Sequence, residues 1–121
     1  MKRDKDLVRH LLLQIEEEVE GGSTCMFDTI QDGYSPADVR GHHKYLVDAG
    51  LVDGSVAPNS LQTKGLLPAG YDLRDEIRDP DIWRKTKEAS QAAGGWSLSL
   101  LSEIARGFLK TKVEKHTGVE L

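Results

Sequence analysis

Adjacent His42 and His43 are the side chains in this sequence best suited to hold a metal or move a proton. Neighbours on a helix point about 100° apart, so they cannot face one ion as an i, i+4 pair does. His43 falls between Val39 and Leu46 on an apolar stripe and reads as a hydrogen-bonded core histidine, with His42 nearer the edge of that stripe. The single cysteine, Cys25, has no C-x-x-C partner; a zinc site would have to gather it with the scattered His10, His42 or His116. No metal and no cofactor is expected. Asp79-Pro80-Asp81 sets two carboxylates at i, i+2, but a helix cap accounts for both. No G-x-G-x-x-G, G-x-x-x-x-G-K-[ST], H-E-x-x-H or G-x-S-x-G occurs, and the sequence predicts a protein that is not an enzyme.

The remaining chemistry is electrostatic. Arg40, His42 and Lys44 form a row, and Arg3, Lys5 and Arg9 cluster around the start of the first helix; of these, Arg3, Lys5, Arg40, His42 and Lys44 are the candidate contacts to the phosphates of double-stranded DNA. Asp38 and Asp48 return the row to near neutrality, so a DNA-reading face and a plain solvated face both stay open. Trp83 and Trp96 could stack on bases, but Trp83 follows Ile82 inside an amphipathic turn, and packing is its expected role.

The row must be carried by a helix over 36–49. Ser35 can accept from the amides of a first turn, Pro36 suits the first helical position, and Asp38 follows three residues after Ser35 as in a capping box. Val39, His43, Leu46 and Val47 lay one stripe along it, and Gly50 offers the left-handed stop. Before it, Asp4 or Asp6 opens a helix over 4–20 with Leu7, Leu11, Ile15 and Val19 at spacings of four, stopped by Gly21-Gly22. Cys25-Met26-Phe27 and Ile30 read as an extended arm over 24–30. After it, a hairpin is expected, with strands over 51–56 and 64–67 around a loose Ser55 to Gly65 tip rich in Ser, Gly, Pro and Asn. Helices follow over 69–78, 80–93 and 98–116. The last carries Leu101, Ile104, Ala105, Phe108 and Leu109 at i, i+3, i+4, i+7, i+8 and ends in Lys110, Lys112, Lys115 and His116.

At 121 residues, 38% of them apolar, the chain supports one modest core. The expected fold is therefore α+β and mainly helical: a single domain over 1–121, with a winged-helix-like core over 1–67 that includes a small antiparallel sheet, and C-terminal helices over 68–121 packed on it. The net charge is −4, milder and of opposite sign to that of a protein living on phosphates. No run approaches the roughly 20 apolar residues of a membrane span, no signal peptide is legible, and one cysteine fits a reducing, cytoplasmic setting.

Met1-Lys2-Arg3-Asp4 with Asp6-Leu7-Val8-Arg9, then Gly33-Tyr34-Ser35, then Val39-x-x-His42-x-Lys44-x-Leu46-x-x-Ala49-Gly50-Leu51, then Ile77-Arg78-Asp79 with Ile82-Trp83 and Lys87, resembles a family of small uncharacterised proteins encoded by bacteria, phages and prophages. That resemblance covers nearly the whole chain and implies a winged-helix-like fold with no established activity. His42 to Val52 also looks like the recognition-helix segment of arsenic-repressor-type winged-helix regulators. The chain departs from these patterns at His43, where an apolar residue is usual, and at Leu67-Pro68-Ala69-Gly70, where Leu-Thr-x-x-Gly often ends the second wing strand. Val19 to Tyr34 reads as extended where such regulators place another helix. The expected function is a DNA-binding or regulatory module of phage or mobile-element type. The alternative is an adaptor for a host or phage protein, and a homodimer through the C-terminal helices is a third possible contact.

Overall fold

The computed structural model describes residues 2–18, 25–27, 33–57 and 60–118. They form helices α1 (Lys5–Glu18), α2 (Pro36–Asp48), α3 (Pro68–Ile77), α4 (Pro80–Ala92) and α5 (Leu98–Thr117), and strands β1 (Cys25–Phe27), β2 (Val52–Ala57) and β3 (Ser60–Leu66). The fold is α+β and mainly helical, as the periodicity predicts. Residues 19–20 of the expected first helix, its Gly21-Gly22 stop, 24 and 28–30 of the expected arm, and most of the Val19 to Tyr34 stretch lie outside the described residues. The chain divides into two compact units, Met1–Asp72 and Leu73–Leu121, with the boundary inside α3.

In the first unit, α1 buries Leu7, Val8, Leu11, Leu12 and Ile15, each 2% exposed or less. Removing each such side chain from water contributes about 1.5–3 kcal/mol. α2 starts as its sequence requires: Ser35 Oγ accepts from the Asp38 amide at 3.1 Å with Pro36 at the first helical position. It stops at Ala49, where Gly50 takes φ +81°. β3 is the middle strand of an antiparallel sheet of order β1-β3-β2, with Met26 opposite Gln62 and Val52 opposite Leu66.

The hairpin corrects one expectation. Most of the expected Ser55 to Gly65 loop is strand, because β2 runs to Ala57 and β3 begins at Ser60, pairing Ser55 with Gln62 and Ala57 with Ser60, while 58–59 lie outside the described residues. Ser and Gly have low strand propensity, but pairing with β3 satisfies the amides and carbonyls that face it, and that cross-strand term outweighs local preference. The ladder shifts register between Asp53 and Gly54, which passes over Lys64. Gly54 sits where a Cβ would lie 2.5 Å from the Gln62 carbonyl oxygen, so the bulge closes only around glycine.

In the second unit, α4 and α5 pack against each other. Ile82, Trp83, Leu101 and Ala105 are buried, at 4% exposure or less. Trp83 is thus a packing residue, as its place in the amphipathic turn suggests. Asp79 Oδ1 caps α4 by accepting from the Asp81 and Ile82 amides at 2.8 and 3.1 Å, and Ser97 Oγ caps α5 through the Leu100 amide at 3.0 Å. No helix among the described residues is long and apolar enough to cross a membrane.

Candidate nucleic-acid interface

The orientation of α2 is set by a clasp that joins it to residues 3 and 4. The Asp4 amide donates to His42 Nε2 at 2.8 Å, and His42 Nδ1 lies 2.8 Å from the Asp38 carbonyl oxygen. An amide can only donate and a carbonyl can only accept, so His42 is the neutral ring with its proton on Nδ1. The Asp4 carboxylate completes the clasp. Its Oδ1 accepts from the Asp6 and Leu7 amides at 2.9 and 3.1 Å, capping α1, and its Oδ2 accepts from the Tyr34 hydroxyl at 3.2 Å. Burial, and then the Asp4 carboxylate, push the Tyr34 phenol above its usual range and keep it a donor. Arg3 donates from Nη1 to the Tyr45 hydroxyl at 3.1 Å, and its guanidinium lies 5.7 Å from the Tyr45 ring centroid.

This geometry corrects the placement of His42. It is 1% exposed and wedged between two backbone groups, so it cannot reach a phosphate, and the candidate row on α2 reduces to Arg40 and Lys44. The interval from Val39 to His42 is one helical turn, so His42 joins the buried face with Val39, His43 and Leu46. His43, also 1% exposed, lies on that face as its spacing predicts, and burial lowers its pKa.

Opposite the buried face, about 100° per residue places Ala37, Arg40, Gly41, Lys44 and Asp48 together. Lys44 and Asp48 are both exposed and pair at 2.6 Å. Arg40 is half-buried at the edge of this strip, and Tyr45 carries Arg3 along its flank. Lys5, the fifth predicted contact, is half-buried in the first turn of α1. The outward strip thus carries two cations of α2, with Arg3 held to Tyr45 on the flank away from Arg40. Ala37 and Gly41 leave the helix backbone low between them, so a ligand can approach closely.

The residues weighed for metal or acid–base work have other positions. Cys25 lies in β1, and among the described residues no group of three or more His, Cys, Asp or Glu side chains could hold a metal ion. Asp79 caps α4 and binds the Lys112 ammonium, which holds its carboxyl down at about 2. Asp81 pairs with Arg84 at 2.8 Å and with Lys85 at 3.3 Å. Sequence reasoning missed the roles of Asp4, Tyr34 and Tyr45. Asp4 carried a signal as a helix cap, whereas its tie to Tyr34 spans 30 residues and leaves no local pattern.

Residues 2–96 match the family described as "Hypothetical protein (DUF2513)". An uncharacterized protein of Haemophilus influenzae is 30% identical over 111 residues, which cover 88% of this chain and 93% of that protein. No solved structure matches.

Proposed function

The chain belongs to the family described as hypothetical protein (DUF2513), and from this premise we propose that its first unit binds double-stranded DNA through the outward strip of α2. The observation that carries the reading is the strip itself. Arg40 and Lys44 stand on a helix whose other face is locked into the core, over residues small enough to let a groove close on the backbone. Helix α2 running directly into the β2–β3 hairpin supports it, since winged helices set a recognition helix beside a wing in that way. Lys64 on the exposed side of β3 extends the same logic to the hairpin. We propose in addition that the unit does no chemistry, since His42 and Asp4 are engaged in the clasp and Asp38 belongs to the first turn of α2. On this reading the protein works in the cytoplasm, as a regulator of the phage or mobile-element type.

A net charge of −4 works against long-range attraction, so affinity rests on a few short contacts. The Lys44–Asp48 pair is exposed on both sides and is worth at most about 1 kcal/mol, so a phosphate can displace the carboxylate. Titration of a labelled mixed-sequence duplex, at low and at moderate salt, tests the proposal by fluorescence anisotropy. Binding is expected at low salt. Arg40→Ala and Lys44→Ala should each weaken it across sequences and shrink the salt slope by about 1. No binding at low salt, or binding indifferent to both substitutions, would overturn it.

A further inference from the structure

His42 is a titratable side chain, 1% exposed, whose two ring nitrogens both meet backbone groups. Those groups belong to two aspartates, the Asp4 amide at Nε2 and the Asp38 carbonyl at Nδ1, each at 2.8 Å. The carbonyl suits neutral and charged imidazole alike, because Nδ1 donates in both. The amide does not. A proton on Nε2 would set one N–H against another at 2.8 Å, so this contact exists only with the neutral ring. Histidine is the side chain that ordinarily gains its charge between about pH 8 and pH 5, which ties the contact to a proton available in that range.

The charged ring has a second partner at hand, the carboxylate of the same Asp4 whose amide it must give up. In the closed clasp that carboxylate is engaged elsewhere, Oδ1 capping α1 through the Asp6 and Leu7 amides and Oδ2 holding the Tyr34 hydroxyl. Turning it to an imidazolium withdraws it from the cap and from Tyr34, so one proton loosens all of these ties together. The other charged and titratable groups of the surrounding elements are placed differently. Asp38, one turn away on α2, meets the ring through its backbone in either state, Arg3 and Lys5 are cations, and Tyr34 is kept a donor. His43 points about 100° away along α2, and Asp6, Asp53 and Lys64 are exposed.

We propose that the clasp is a proton-operated latch. With His42 neutral it is shut and fastens residues 3–4 to α2. A proton taken from water onto Nε2 breaks the bond to the Asp4 amide, the Asp4 carboxylate turns to the imidazolium, and the first turn of α1 opens. The opening stays local, because Leu7, Val8, Leu11, Leu12 and Ile15 hold α1 in the core by apolar burial that no proton alters. It does not depend on what α2 binds.

The test titrates the full chain, labelled with nitrogen-15, from about pH 8 to about pH 5 by NMR. Long-range proton–nitrogen correlations of the ring are expected to show His42 with its proton on Nδ1 at the alkaline end. As the ring gains its charge, the Asp4 amide should move upfield and lose exchange protection, and the Asp6, Leu7 and Tyr34 amides should shift with the same midpoint. His42→Gln, whose side chain accepts and donates without titrating, should abolish that transition, while His43→Leu should leave it in place. Circular dichroism checks that the helices persist throughout and that both variants are folded. A neutral His42 with its proton on Nε2, an Asp4 amide that stays put as the ring charges, or loss of all helical signal at the same midpoint would each overturn the proposal. These three readings come from the unaltered chain, so they decide the matter even where a variant does not fold. A transition that survives His42→Gln, or that vanishes in His43→Leu, would also overturn it.

Discussion

The polar clasp of the first compact unit and the ion pairs of the second are built in opposite ways. In Met1–Asp72, the key polar groups converge on buried or half-buried partners: Asp4 serves two amides and a phenol, and His42 bridges two backbone groups. In Leu73–Leu121, carboxylates pair with cations at the surface: Asp81 with Arg84, Asp79 with Lys112, and Glu76 with Arg106 at 3.2 Å and the Ser102 hydroxyl at 2.6 Å. Removing one partner from a buried hydrogen bond strands the other without water, whereas an exposed pair is replaced by hydration at little cost. The clasp of the first unit should therefore be brittle to single polar substitutions, and the surface ion pairs of the second tolerant of them.

The largest effect expected comes from the first unit's backbone. A Cβ on Gly70 would lie 2.1 Å from the Leu51 carbonyl oxygen, which itself accepts from the Leu67 amide, so nothing there can yield cheaply. Gly70→Ala should lower stability by about 3 kcal/mol or more, read as a fall in urea midpoint at unchanged slope. This contact also explains why the glycine of Leu67-Pro68-Ala69-Gly70 is needed where α3 starts beside β2.

His42→Ala comes next. It leaves the Asp4 amide without its acceptor and opens a cavity in α2's buried face, for a loss of about 2–3 kcal/mol. Lys112→Ala in the second unit is the matched comparison, and its effect at neutral pH should be well below that of His42→Ala. Equal losses in the two variants would break the contrast between the units.

The pH dependence sharpens it further. The His43 pKa is lowered by burial, so the native state holds fewer protons there than the unfolded chain. Its stabilising contribution is complete above the unfolded value of about 6.5 and is lost as pH falls below it. Denaturant midpoints should fall with acidification in this window, and His43→Leu should flatten that decline. Asp79 acts at a lower window. Its carboxyl is held at about 2, so the stability it confers is present above its ordinary value of 3.8 and is lost as pH falls through 2. Lys112→Ala should remove much of that acid-dependent loss and, by linkage, cost the same small increment at neutral pH, the smallest effect of the set.

Local signals made much of the fold legible. Ser35, Asp79 and Ser97 each cap a helix through amides no more than three residues away, and the left-handed glycines at 50 and 118 close α2 and α5 within their own turns. The positions of Arg40 and Lys44 on the outward strip follow from the same helical period. The hairpin's extent was hidden because Ser55 and Gln62 find each other only across the turn, and neither favours a strand on its own.

The sequence by itself determined where α2 starts and stops and which of its positions repeat with the period of a helix, because capping and periodicity act over a few bonds. Only the tertiary structure decided what those positions meet. His42 is an interior clasp rather than a phosphate contact because Asp4 reaches it across 38 residues, and Arg3 is fastened to Tyr45 across 42. Hydrogen bonds of that span depend on how α1 and α2 pack, a choice made by the buried faces of both helices together.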